Sequence, residues 1–245
     1  QQFESYTQEQ VDEIVRAIGK VVYDHSEELA RDAVDETRMG VYEDKVLKNK
    51  SKSRTIWNNL KDKRSIGVIS DKDEHGIIKV AKPVGVVGSV TPTTNPVVTP
   101  MCNAMFALKG GNAIICAPHP RSKNVSTKTV DLMNAEIRKL GGPENLIQII
   151  SEPSLDRTQE LMKTCDVLVA TGGPAMVQAA YSSGKPSFGV GPGNVQVIVD
   201  TDVDFNETAS KVITGRAFDN GIICSGEQSV IAQKDKYDAV IEAFV

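Results

Sequence analysis

Residues 84–90 read VGVVGSV, and residues 112–118 read NAIICAP. Each is a short, almost uninterrupted apolar run, too short for a helix core and suited to a strand buried on both faces. Helical sequence fills the gap between them and stops at Gly110-Gly111. Downstream the alternation repeats. A helix with Val130, Met133, Ile137 and Leu140 on one face ends at Gly141-Gly142-Pro143. LIQII (146–150) is a third strand, and DVLVA (166–170), after another helix, is a fourth. Gly173-Pro174 opens a further helix, with proline at its first turn, and SFGV (187–190) is a fifth strand. This pattern predicts an α/β fold: a Rossmann-like parallel sheet with helices on both faces.

Different patterns flank that region. Thr7 caps a helix, with Gln10 three residues on as a capping box, and Val11, Ile14, Val15, Ile18 and Val22 share one helical face. A polar helix covers about 43–60. SIGVIS (65–70) and GIIKVA (76–81) read as strands joined by the charged turn DKDEHG (71–76), a β-hairpin at about 65–82. From Asn194 a second α/β unit begins: strand NVQVIV, a helix at about 205–217, a cysteine-bearing loop and strand QSVIAQ. The division falls at residues 1–190 and 191–245.

Composition removes several function classes. The net charge of −4 is spread without a basic stripe, which argues against nucleic acid as a partner. No apolar run approaches the roughly 20 residues that span a bilayer, and QQFESYTQEQ has neither the basic nor the apolar region of a signal peptide. The four cysteines have no paired short spacing, and the three histidines are dispersed. Both features fit a reducing cytoplasm without a disulfide framework or a metal centre.

Three places carry candidate chemistry. In ATGGPAM (170–176), Gly172 and Gly173 link a strand to a helix N-terminus, where backbone N–H groups could face a pyrophosphate. A tight turn that needs glycine for backbone reasons is the alternative, and no GxGxxG is present. APHPRSK (117–123) follows the second strand without the carboxylate that usually holds an adenosine ribose. There His119, Arg121, Ser122 and Lys123 could contact a ribose or accept a 2′-phosphate. In FDNGIICSGEQ (218–228), Cys224 sits in an adaptable loop that a packing cysteine does not need. Packing is the reading for Cys116 within a strand, Cys165 before one and Cys102 on a helix.

Six stretches, in order and at matching spacing, are similar to the CoA-acylating branch of the aldehyde dehydrogenase superfamily. They are TPTTNP (91–96), KGGNAII (109–115), APHPRSK, ATGGPAM, GVGPGN (189–194) and FDNGIICSGEQS (218–229). The resemblance runs from about residue 7 to the end. It implies an oxidoreductase that interconverts an aldehyde and its acyl-CoA with NAD or NADP and coenzyme A, working as a homo-oligomer. Cys224 matches the nucleophile, which forms a thiohemiacetal and then a thioester. Asn95 and the Cys224 backbone N–H match the oxyanion donors. Thr91, Pro92, Thr93, His119, Pro120, Arg121, Gly172, Gly173 and Gly191 fall on the cofactor-binding positions. Residues 1–190 become an NAD(P)-binding domain and 191–245 the first part of a catalytic domain. Family members are longer, so the rest of that domain and the C-terminal oligomerisation segment are expected to lie outside this chain.

Acid-releasing members of the superfamily activate water with a glutamate just before a Gly-Gly pair. The corresponding stretch here is PSFGVGPGN (186–194), and no Asp or Glu occurs from Tyr181 to Val199. A thioester on Cys224 is then left for the CoA thiol. The motif set is most similar to members acting on succinate semialdehyde, with sulfoacetaldehyde and acetaldehyde as alternatives. Arg216, eight positions before Cys224, suits a carboxylate or sulfonate, or is an ordinary helix-end arginine. Glu227 is either an acid near the site or a charge at a strand start. A hydrolytic enzyme with its base supplied elsewhere, or an inactive nucleotide-binding fragment, are the other readings.

Overall fold

The computed structural model describes residues 1–70, 72 and 74–245. Helix α1 (Gln8–Asp24) begins with the expected reciprocal cap: Gln10 N donates to Thr7 Oγ1 at 3.3 Å, and Thr7 N donates to Gln10 Oε1 at 2.9 Å. It buries Val11, Ile14, Val15, Ile18 and Val22 on one face. Helix α2 (Ser26–Thr37) was not anticipated from the sequence, because its buried apolar stripe is only Leu29, Ala30 and Ala33. It stops at Arg38, which takes a left-handed conformation (φ 58°). Helix α3 (Tyr42–Leu60) is the polar helix, yet it buries Lys45, Lys48, Asn49 and Ser53.

A hairpin of β1 (Gly67–Ser70) and β2 (Lys79–Ala81) follows, paired Gly67 to Ala81 and Val68 to Val80. Its second strand is shorter than expected, starting at Lys79 rather than Gly76. In the expected charged turn, Asp71 and Asp73 lie outside the described residues.

The core is the alternation read from the sequence: β3 (Val86–Val90), α4 (Val98–Lys109), β4 (Ala113–Ala117), α5 (Lys123–Lys139), β5 (Ile147–Ile149), α6 (Leu155–Thr164), β6 (Val167–Thr171), α7 (Pro174–Tyr181) and β7 (Ser187–Val190). The five strands are all parallel, in the order β5-β4-β3-β6-β7. One face, with Val87, Ile114, Cys116 and Ile147, packs against apolar residues of α1, α4 and α5. The other, with Val90, Ala117, Leu168 and Ala170, packs against Leu161 and Met162 of α6 and Ala180 of α7. Gly88 is required there: a Cβ would lie 2.9 Å from Cys165 Sγ and 3.0 Å from Leu168 Cδ2.

The order of strands sets the site. From β3 the chain builds outward through β4 to β5, then crosses back to place β6 on the other side of β3. At such a reversal the connections leave in opposite directions, and a crevice opens at the carboxyl ends of the two central strands. Here those ends are Val90 and Thr171. Beyond the sheet, β8 (Val195–Val199), α8 (Phe205–Ala217), β9 (Glu227–Ala232) and α9 (Tyr237–Phe244) form a separate unit, with β8 and β9 paired in parallel.

Ile14 joins α1 to the core that covers one sheet face and is 2% exposed. Ile14→Ala is expected to lower unfolding stability by about 2–5 kcal/mol, measured by chemical denaturation. A loss below about 1 kcal/mol would mean that α1 is not part of the cooperative core.

Candidate active site

The segments that leave β3 and β6 line two adjoining cavities. One, of about 520 Å³, is lined by Thr91, Pro92, Thr93, His119, Pro120, Arg121, Gly172 and Gly173. These are all the expected cofactor positions except Gly191. Gly191 lines the neighbouring cavity of about 410 Å³, together with Asn95, Arg216 and Cys224. Pro92, Thr94, Thr171, Gly172 and Gly173 border both.

Two observations bear on whether the larger cavity is open to a ligand. Neither Gly172 nor Gly173 has a positive φ, and a Cβ on Gly173 would meet nothing within 4 Å. The backbone alone therefore does not require glycine, whose small profile leaves this wall open for the close approach of a ligand. Thr91 Oγ1, just beyond β3, is buried with no hydrogen-bond partner among the described residues, so its hydroxyl is free to bond a group bound in the cavity it lines. One expected donor is committed, since Gly172 N–H donates to Val190 O at 3.1 Å and ties β6 to β7.

The basic loop after β4 is more constrained than its sequence suggests. Arg121 N–H donates to His119 Nδ1 at 3.1 Å, and burial, with the Arg121 charge, holds the His119 pKa below its ordinary value. His119 is thus neutral at pH 7, with its proton on Nε2. The Arg121 guanidinium donates to Thr37 O at 3.2 Å, at the end of α2. Helix α2 brings a carboxylate as well: Glu36 accepts from Asn124 N at 2.9 Å and Val125 N at 2.7 Å. The loop read as free of acid thus has two carboxylates near its C-terminal end, Glu36 at the first turn of α5 and Glu152, which pairs with Lys123 at 2.8 Å, and neither lines the larger cavity. Met39, just beyond α2, lines the same cavity. Neither Glu36 nor Met39 carried a local signal, because α2 itself did not.

Around the cysteine, the chain leaves α8 through Asp219, Asn220 and Gly221, three consecutive left-handed residues (φ 53°, 55° and 68°). Cys224 follows, exposed, in the loop before β9. Asn95 lies in the turn ahead of α4, and its amide donates to Thr94 Oγ1 at 3.4 Å. Gly193 is pressed against the cysteine loop: a Cβ there would lie 2.7 Å from Cys224 O. Gln228 Nε2 donates to Gly193 O at 2.8 Å and fastens the contact. Arg216 lines the cavity and donates to Gly221 O at 3.3 Å. Glu227 faces elsewhere, against Gly215 of α8. Among the described residues, the lining of the Cys224 cavity contains no carboxylate. No group of three or more His, Cys, Asp or Glu placed to hold a metal occurs among them.

The other thiols are withdrawn. Burial pushes the Cys102 and Cys116 pKa values up to about 12 and raises that of Cys165.

The aldehyde dehydrogenase family model matches residues 1–245. Succinate-semialdehyde dehydrogenase (acetylating) of Clostridium kluyveri is 61% identical over 242 residues, 99% of this chain and 53% of that protein. An acetylating aldehyde dehydrogenase from Geobacillus thermoglucosidasius superposes with a TM-score of 0.94 at 36% identity, over 99% of this chain and 54% of that one. Propionaldehyde dehydrogenase of Rhodopseudomonas palustris, solved with bound CoA and an acylated cysteine, gives 0.87 at 34%, over 99% and 56%. The chain thus spans about half the length of the relatives it matches.

At pH 7 a thiol with a pKa of about 12 is ionised in only about one molecule in a hundred thousand, and the thiolate is the nucleophile. Brief treatment with iodoacetamide is expected to alkylate Cys224 alone, giving one adduct per chain by peptide mass spectrometry. Comparable labelling of Cys102 or Cys116 would contradict the assignment of Cys224 as the accessible thiol.

Proposed function

The chain belongs to the aldehyde dehydrogenase family, and on that premise we propose that it carries the dinucleotide site and the nucleophile of a CoA-acylating enzyme. The reaction is aldehyde + CoA + NAD(P)⁺ ⇌ acyl-CoA + NAD(P)H + H⁺. The observation that carries this reading is the cavity in which exposed Cys224 meets Asn95 and the glycine loop, its lining among the described residues free of carboxylates.

Cys224 attacks the aldehyde carbonyl as a thiolate, forming the C–S bond of a thiohemiacetal. The Asn95 amide and the Cys224 backbone N–H stabilise the resulting oxyanion. When bound, the nicotinamide cofactor supplies the hydride acceptor, and Thr91–Thr93, His119–Arg121 and Gly172–Gly173 are the residues that hold it. Loss of hydride leaves a thioester on Cys224. Water needs a base to attack a thioester at a useful rate, and among the described residues the lining of this cavity offers no carboxylate. The CoA thiolate attacks instead, past Gly191, and Cys224 departs as a thiolate.

Succinate semialdehyde is the aldehyde this reading favours. The Clostridium relative supports it, as does Arg216 in the cavity wall, whose guanidinium matches a carboxylate. Residues 1–190 serve as the cofactor-binding domain and 191–245 as the first part of the catalytic one. The enzyme works as a homo-oligomer, supported by the exposed apolar residues Val68, Ile69 and Val80 on the hairpin, and in the cytoplasm, supported by the unpaired spacing of its cysteines.

Stopped-flow mixing of the intact enzyme with aldehyde and NAD(P)⁺, without CoA, is expected to show a burst of about one NAD(P)H per active site and then a stall. Addition of CoA restores turnover. Sustained CoA-independent formation of free acid would replace this reading with a hydrolytic one.

Both dinucleotides are accepted, with the guanidinium of Arg121 at the 2′-phosphate. Arg121→Ala is expected to raise KM for NADP⁺ about tenfold or more while leaving that for NAD⁺ within about twofold, the effect of losing one charge-assisted hydrogen bond. Equal changes for both cofactors would confine Arg121 to its bond with Thr37.

A further inference from the structure

Beneath the two catalytic loops lies a cluster of charge that the mechanism above does not use. Asp219, five residues before Cys224, is fully buried. Its Oδ1 accepts from Val41 N at 2.9 Å, and its Oδ2 accepts from the ammonium groups of Lys45 and Lys48, which are only 3% and 5% exposed. Asp219 N in turn donates to Asp44 Oδ2 at 2.7 Å, and Asn220 Nδ2 donates to Gly40 O at 3.4 Å. Asp219 and Asn220 thus fasten the cysteine loop to five residues of a short stretch, 40–48, that lies more than 170 positions away in sequence. The same Lys45 ammonium also donates to Thr94 O at 3.4 Å, the peptide immediately before Asn95. Lys45, Lys48 and Asn95 border a void of only about 10 Å³, so the packing between cluster and turn is close.

We propose that Asp219, with Lys45 and Lys48, is a positioning cluster that holds the Asn95 turn and the Cys224 loop in register, so that oxyanion donor and nucleophile face one cavity. This rests on the roles proposed above for Asn95 and Cys224.

Three features separate the cluster from an incidental ion pair. A buried ionic group is a poor source of stability, because apolar residues of similar volume often serve as well or better, so stability alone does not account for this one. The arrangement is also exacting. Gly40 has φ +80°, and a Cβ on it would lie 2.0 Å from Asp219 Oδ1. Finally, Asp219 and Asn220 both hold left-handed conformations, which cost energy in non-glycine residues and persist only where surrounding contacts enforce them. The charge state is consistent with this arrangement. Burial alone would raise the Asp219 pKa, but the bonds and charge of Lys48, the Val41 N–H and Lys45 outweigh it and hold the carboxyl below its ordinary value. Burial and repulsion from Lys48 hold Lys45 below the ordinary lysine value, the lesser share of one carboxylate between two cations.

The test uses Asp219→Asn in the intact enzyme, which removes the charge at nearly constant volume. Hydrogen exchange in peptides covering 91–97 and 218–226 is expected to accelerate about tenfold or more, while the sheet peptides covering 86–90 and 113–117 keep their protection. The rate constant of the hydride burst should fall at least tenfold, since small displacements of reacting groups are costly, with the dinucleotide Kd within about twofold of wild type. A burst rate within twofold of wild type overturns the proposal, and so does exchange that rises equally in loops and sheet. If the wild type itself gives no burst, the acylating reading fails and the exchange pattern alone decides the cluster's role. If Asp219→Asn does not fold, Lys45→Met, which cuts one tie to each loop, is judged by the same measurements and the same limits.

Discussion

The structure is organised around the pairing of β3 on both of its edges. Val87 to Val90 match Ile114 to Ala117 of β4 on one side and Val167 to Ala170 of β6 on the other, all in parallel. A strand so placed has no free edge, and both its faces must be covered by apolar side chains. That requirement accounts for the two separate cores, one beneath α1, α4 and α5, the other beneath α6 and α7. It also explains Gly88, where the second core comes too close for any side chain. Because the chain must leave β3 and β6 in different directions, it cannot fill the space between their ends. The residues that leave, Thr91–Asn95 and Thr171–Gly173, therefore face a crevice rather than a core.

The crevice extends to Cys224 where two further segments meet it. The loop 189–193 is drawn in by the bond between Gly172 and Val190, and the cysteine loop is pressed against Gly193. Small residues recur at these junctions because backbone must approach backbone. The shared wall of Pro92, Thr94, Thr171, Gly172 and Gly173 sets the larger cavity beside the one that holds Cys224. Burial then separates the thiols: Cys102, Cys116 and Cys165 are held as neutral packing groups, while Cys224 faces solvent.

Polar contacts between distant segments give the site its frame. Helix α2 supplies Glu36 to the first turn of α5 and the Thr37 carbonyl to Arg121, and α3 supplies Lys45 and Lys48 to Asp219. The N-terminal helices thus cover one face of the sheet and also brace the loops at its carboxyl end. A carboxylate at a helix N-terminus and a cation at a helix C-terminus are both favoured by the backbone dipole, which helps explain why Glu36 and Arg121 settle where they do.

The amino-acid sequence by itself determined the elements whose signal is periodic. The runs at 84–90 and 112–117 form strands, Val86–Val90 and Ala113–Ala117, because they are short and almost wholly apolar. The cap at Thr7 forms because its partner is three residues away, and Cys224 stands apart from the other thiols because its neighbours build a loop. Tertiary structure decided what periodicity does not record. It set the order of the five strands, the shortening of the hairpin's second strand, and the existence of α2, whose thin stripe of Leu29, Ala30 and Ala33 gains its burial only against α3 and α5. It turned Lys45 and Lys48, residues of the polar helix expected at about 43–60, into buried partners of one carboxylate. A local pattern reports the face a residue presents to its own element. A charge finds its counterion across the fold, and that pairing exists only once the chain has closed.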